Sequence, residues 1–255
     1  MIVWVRRSLW LSSFSLLFLA GCRQSADTDR DVLVFAAASL GDSLTEIGAS
    51  FETETGHRVV FNFAGSQSLA QQIVASGRGD LFVSADNAWM DFIEEKGQVK
   101  AGSRQPLLAN RLVIICGANG DFRMSTPDDL ASLEFRYLCI GEPDAVPVGR
   151  YAKAWLENGG LWEAVRERVS PTPNVRAALE QAISRSDAIG IVYSTEVIRA
   201  ASRAKLLWKM TEPTVRYPMA LLDEGVQSEG ANRFYDYLQS DAAKRVFETY
   251  GFEVL

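Results

Sequence analysis

The strongest constraint in this chain is an order of segments. A short unbroken apolar run is followed by apolar residues at three- and four-residue steps, then by a glycine, and the unit recurs. "DVLVFAA" gives way to Leu40, Leu44, Ile47 and Phe51, which share one face of a helix, and Gly56 stands where that helix must stop. "HRVVFNFAG" leads to a helix with Leu69 and Ile73 on one face, stopped at Gly77. "GDLFVSAD" leads to a short helix through Trp89, Phe92, Ile93 and Lys96, with Gly97 beyond its end. Strands that are apolar along their whole length are buried on both faces. The alternation therefore predicts an α/β fold with a mostly parallel sheet flanked by helices.

A second set follows. "NRLVIICGA", "FRYLCIGEP" and "AIGIVYSTEV" read as strands, and "VGRYAKAWLENGG" and "PNVRAALEQAISRS" as helices, the latter with Val175, Leu179 and Ile183 on one face. "STPDDLAS" reads as a Pro-initiated helix start. "VRYPMALL" is a strand whose Pro218 predicts an edge position or a bend. "ANRFYDYLQSDAAKRVFETYGF" is amphipathic and helical, broken near Ser240. No period of roughly twenty to fifty residues repeats, so a solenoid is not expected. Two sets in a chain of this length predict two lobes.

Ligands of open α/β sheets bind at the carboxyl ends of strands, where helices begin. Ser39 follows "VFAAA" and Ser66 follows "VFNFAG"; Val148 and Gly149 follow "CIGEPDAVP", and Val175 follows Asn174, an N-cap in "TPNVRAAL". Each junction offers unpaired backbone N–H groups and the positive end of a helix dipole, and hydroxyls add donors. Several such starts facing one cleft would hold an anion without lysine or arginine. Each also has a local alternative. Ser39, with Asp42 three residues on, reads as a capping box. Tyr193 in "GIVYS" reads as a half-buried strand tyrosine. Arg150 and Arg176 read as solvated first-turn residues.

The first residues are not fold. "MIVWVRRSLWLSSFSLLFLAGC" has two arginines, an apolar run too short to span a membrane, and small residues before Cys22, the pattern of a secretory signal over residues 1–21. "LAGC" resembles a bacterial lipobox, which makes Cys22 the expected lipidation site; an ordinary signal with an incidental cysteine is the alternative. Residues 22–30 read as a polar tether. The formal charge of −6 argues against a nucleic-acid partner, which demands basic stripes, while 47% hydrophobic residues support a core. Cys116 and Cys139 lie in apolar strands; an exported compartment permits a disulfide, and two buried thiols fit equally. His57 in "ETGHRV" reads as an exposed loop residue. Hydrolase, dinucleotide, zincin and Walker signatures are missing, and the only histidine, His57, offers no base beside a serine, so an enzyme is not expected. Arg78-Gly79-Asp80 reads as a turn into a strand, not an adhesion motif.

"VFAAASL", "FAGSQSLAQQI", "GDLFVSADNAWMD", "GEPDAVPVGRYAK", "PNVRAALEQ", "GIVYSTEV" and "FYDYLQSDAAKRVFETYGF" keep an order that resembles the bacterial periplasmic molybdate-binding proteins, from Asp31 to the C-terminus. The resemblance implies a two-lobed type II periplasmic-binding-protein fold. Lobe 1 would comprise residues 31–108 and 214–255, and lobe 2 residues 109–213. It implies a monomer that captures molybdate, with tungstate also expected, and passes it to an ABC importer permease with its ATPase. A lipid anchor would hold it to the extracytoplasmic side of a membrane, and no cofactor is expected. Carried over by motif, Ser39 and Ser66 would donate hydroxyl and backbone hydrogen bonds, Val148 and Val175 backbone N–H groups, and Tyr193 its hydroxyl. Two departures concern selectivity: Gly65 and Gln67 flank Ser66 where the family commonly has serines, and "VPVG" stands where "VPAG" is common. Sulfate, ferric iron or an organic anion are alternative cargoes on related folds.

Overall fold

The computed structural model describes Met1 and residues 30–255. The expected signal, Cys22 and nearly all of the tether lie outside the described residues.

Three strand–helix units come first: β1 (Val32–Ala37) and α1 (Gly41–Thr55), β2 (Val59–Ala64) and α2 (Ser66–Ser76), β3 (Leu81–Val83) and α3 (Asn87–Glu95). The long strand β4 (Gln105–Gly117) and the single turn α4 (Asp129–Ser132) follow. The second set runs β5 (Tyr137–Gly141), α5 (Pro147–Asn158), α6 (Trp162–Val165), β6 (Val169–Thr172), α7 (Val175–Ile183), β7 (Ala188–Tyr193) and α8 (Ser194–Ala200). The chain returns through β8 (Ala204–Leu221), α9 (Glu229–Tyr237), α10 (Asp241–Thr249) and β9 (Glu253–Val254).

The predicted stripe on α1 is buried through Leu44, Ile47 and Phe51. Gly56 ends the helix in the left-handed conformation, its N–H bonded to the Glu52 carbonyl. Phe51 meets Phe234 of α9 edge-on at 5.0 Å between ring centroids, a contact worth about 0.5–1.5 kcal/mol beyond burial. The opposite face of the sheet buries Phe35 and Phe82 against Leu69 and Ile73 of α2 and Met90 and Ile93 of α3. Both faces are covered, as the unbroken apolar strands require. The C-terminal helix breaks where expected: the Ser240 side chain caps α10 by accepting the Ala243 N–H at 3.2 Å.

The nine-stranded sheet runs β2-β1-β3-β8-β4-β7-β5-β6, with β9 on β4. The flanking trios β2-β1-β3 and β7-β5-β6 are parallel, and the two central strands, β8 and β4, are antiparallel to each other and to their outer neighbours. The expected lobe boundaries at 108/109 and 213/214 fall inside β4 and β8, so on those boundaries both long strands would pass from one lobe into the other. The first half of β8, "AKLLWKMTEP", carries no strand signal in the sequence, because its side chains are mixed in character and half-exposed, and its place is set by backbone pairing with β4 from Ala204 to Lys209, interrupted by register shifts.

Pro218 is not on an edge; it lies between β3 and β4. Its carbonyl accepts the Ser84 N–H at 3.0 Å just beyond the end of the short β3. The missing N–H of proline therefore points to a place where the ladder needs no donor.

Three more expectations are decided by the structure, and the exposed position expected for His57 is overturned. His57 is half-buried, its ring 6.3 Å from that of Phe51. Cys116 and Cys139 are free, buried thiols, and burial pushes Cys139 up to about 11. Asp80 of the Arg-Gly-Asp tripeptide is fully buried, accepting the Leu33 N–H at 2.8 Å and pairing with Arg30, so the tripeptide is not displayed.

Candidate functional site

Ser39, Ser66, Val148, Val175 and Tyr193 line one small cavity at the carboxyl ends of the strands, between the two lobes. Apart from Asn174, its remaining wall is small or apolar, with Ala37 and Ala38 among the lining residues. Among the described residues, no lysine, arginine, aspartate or glutamate lines it.

Ser39 sits in the short turn Ala38–Leu40 that links β1 to α1. Small alanines let the backbone bend there without blocking the cavity. The capping-box alternative does not hold: neither the turn nor α1 receives a side-chain cap. The Ser39 hydroxyl lies 3.0 Å from the Tyr217 hydroxyl instead. Ser66 is the first residue of α2, and its Oγ accepts the Ala85 N–H at 3.0 Å, so its single proton is free to point elsewhere.

The N–H groups of Val148 and Val175 belong to the first turns of α5 and α7, where a helix supplies no carbonyl partner. Asn174 caps α7 as predicted, accepting the Ala177 N–H at 3.0 Å. Tyr193 closes the wall. It is 1% exposed, its hydroxyl has no partner among the described residues, and burial pushes its phenol well above the usual value. It therefore stays protonated at any physiological pH and can donate. Hydroxyl and amide donors from both lobes, with no fixed charge, suit a small anion held by hydrogen bonds.

Both departures at the site have structural partners. A Cβ at Gly65 would lie 2.4 Å from Gln67 Oε1 and 2.5 Å from the Pro173 carbonyl oxygen. No side chain fits there, because Gln67 reaches across the cleft and donates Nε2–H to that carbonyl at 2.9 Å. Gly65 and Gln67 thus form a coupled pair. Val148 packs Cγ1 over Gly141, within 2.8 Å of where a Cβ would stand, so a side chain larger than alanine fits there only above a glycine.

Outside the cavity the lobes are joined by contacts that sequence reasoning missed. Trp89 Nε1 donates to the Ala145 carbonyl at 2.7 Å. Arg150 is not merely solvated; its guanidinium meets Asp86 at 2.8 Å. Burial raises the Asp86 carboxyl above its ordinary value, opposed by the Trp89 N–H and by Arg150. Arg176 and Arg199 both reach Asp42 of α1, at 3.0 and 3.1 Å. These partners are distant in sequence, and the only local hint was the departure at Gln67.

The sequence matches the family described as bacterial extracellular solute-binding protein over residues 32–253. It is 35% identical over 255 residues to the molybdate-binding protein ModA of Escherichia coli, covering 96% of this chain and 98% of that one. A putative ABC transporter substrate-binding lipoprotein of Bacillus subtilis, YvgL, is 30% identical over 247 residues, covering 93% of this chain and 94% of its own. Among solved structures, the periplasmic molybdate-binding protein of Azotobacter vinelandii superposes with a TM-score of 0.78 at 21% identity, covering 88% of this chain and 100% of that chain.

Proposed function

Because the chain belongs to the bacterial extracellular solute-binding protein family, we propose that it captures molybdate in the cavity between its lobes and delivers it to an ABC importer. The family acts outside the cytoplasm and binds its solute without turning it over. The observation that carries the reading is the donor set. Ser39, Ser66 and the first turn of α2 on one lobe face Val148, Val175 and Tyr193 on the other, around a cavity without fixed charge. A tetrahedral dianion presents only acceptors, and each of its oxygens can meet hydroxyl or amide donors from both sides. An anion entering the open cleft meets one lobe first, and closure brings the second set of donors.

Tungstate has nearly the size of molybdate and is expected to bind in the same way. Sulfate is smaller and would leave donors stretched, at about 1–3 kcal/mol for each one unmade. Titration calorimetry with molybdate, tungstate, sulfate and phosphate tests this. Molybdate and tungstate are expected to bind at least about a hundredfold tighter than sulfate, the equivalent of about 2.7 kcal/mol. Equal binding of sulfate would remove the assignment of cargo.

Cys22 is the proposed lipid attachment site, supported by "LAGC" and by the lipoprotein name of the B. subtilis relative. A Cys22→Ser chain expressed in bacteria is then expected in the soluble extracytoplasmic fraction instead of the membrane fraction; unchanged membrane association would refute the anchor. The protein is proposed to act as a monomer without a cofactor.

A further inference from the structure

Resting on the reading of the cavity as an oxyanion site, we propose that Asn110 and Tyr217 are positioning residues that hold the Ser39 hydroxyl as a donor toward the anion. A serine hydroxyl has one proton and two lone pairs. It can give that proton to an anion only if its protein partner does not receive it. Ser39 Oγ and Tyr217 Oη are 3.0 Å apart, and by itself that contact could run either way.

The neighbours decide the direction. The Arg111 backbone N–H can only donate, and it lies 2.8 Å from Asn110 Oδ1, which also accepts from the Ser194 hydroxyl at 2.8 Å. That pins the orientation of the amide, a choice otherwise ambiguous for asparagine. Nδ2 therefore faces the other way, donating to Thr195 Oγ1 at 3.0 Å and reaching Tyr217 Oη at 3.4 Å. Tyr217 is completely buried, and burial pushes its phenol far above the usual value, so it keeps its proton. An amide N–H already occupies its oxygen, and Ser39 Oγ is the one acceptor among its hydrogen-bond partners in the described residues. Tyr217 donates, Ser39 accepts, and the Ser39 proton is left for the cavity.

Ser66 reaches the same state more directly, through the Ala85 N–H. The two cavity serines are thus polarised by different means, one by the backbone and one by a buried side-chain chain. Asn110 lies on β4 and Tyr217 on β8, so the direction of the Ser39 hydroxyl is set from the two strands that join the lobes.

The test is a set of coupled variants measured by calorimetry with molybdate, with thermal midpoints taken without ligand. Tyr217→Phe is expected to weaken binding about tenfold in the wild-type background, the upper scale of one neutral hydrogen bond, and by less than about twofold in Ser39→Ala. Asn110→Asp is the second arm. A carboxylate in that place can only accept, so Tyr217 would turn its proton toward it and take the Ser39 proton in exchange. Its loss of affinity is expected to exceed that of Tyr217→Phe and to shrink when Ser39 is alanine; whatever remains there is repulsion of the anion by the new charge. Equal losses in both backgrounds, or no loss with Ser39 present, would overturn the inference, since a merely structural role would not depend on Ser39. Failure of the wild-type protein to bind molybdate would overturn the reading of the cavity as well, whereas wild-type binding without coupling would overturn only the role of Asn110 and Tyr217.

Discussion

The cavity and the rim of the cleft solve different problems with different chemistry. Inside, Ser39, Ser66, Val148, Val175 and Tyr193 present hydroxyls and amides, and among the described residues no charged side chain lines the void. Around it, Asp42 meets Arg176 and Arg199, and Asp86 meets Arg150, each pair spanning the two lobes. A fixed positive charge in the centre would attract any anion. Neutral donors at set places reward only the one whose oxygens reach them. Charge belongs at the rim, where it can join the lobes without choosing the cargo.

The largest expected effect lies in the cavity. Ser39→Ala combined with Tyr193→Phe removes a donor from each lobe and is expected to weaken molybdate binding at least about a hundredfold, since hydrogen bonds to charged groups contribute about 1.5–3 kcal/mol each. Calorimetry checks it, and an affinity within a few-fold of wild type would end the division drawn here. An intermediate effect is expected at Glu196, a buried carboxyl behind the rim whose Oε2 has no partner among the described residues. Burial raises it from 4.5 to about 7, with Arg176 and Arg199 pulling it down and Asp42 and Glu180 pushing it up. Because the folded value lies above the unfolded one, the native state keeps this proton longer. Stability is then full below the unfolded value and falls as pH rises through about 7. Glu196→Gln is expected to flatten that decline and to stabilise the protein near pH 8 by on the order of 1–3 kcal/mol. Thermal melts across pH would show an unchanged slope if Glu196 were not responsible.

The smallest effect belongs to the exposed rim. Asp42→Asn removes ion pairs that are partly open to water, so the cost is expected to stay below about 1 kcal/mol, less than about fivefold in affinity, and to vanish at high salt. A salt-independent loss of tenfold or more would place Asp42 in recognition and blur the contrast.

Sequence periodicity reached what is local. Leu44, Ile47 and Phe51 declared the face of α1, Asn174 its capping role, and Ser240 the break between α9 and α10, because each depends on residues a few places away. The candidate site residues could be named at strand ends and through family likeness, and the structure places them around one cavity. What stayed hidden depends on distance along the chain. Nothing near Tyr217 announces Asn110 or Ser39, and Gly65 looks like an ordinary loop glycine until Gln67 and Pro173 are seen to fill its side-chain space. The first half of β8 was missed for a related reason: its place is dictated by β4, not by its own apolar pattern.

The paired run of β4 and β8, which is kept through register shifts, would act like a torsion bar if the lobes moved apart. Parting the lobes would wind or unwind a ribbon whose rungs can stay fastened, so the spread and shut forms would differ mainly in contacts at the mouth and at the anion. A small energy gap between such forms lets a single bound ion decide which one prevails, and an importer could then tell a laden carrier from an idle one by shape alone.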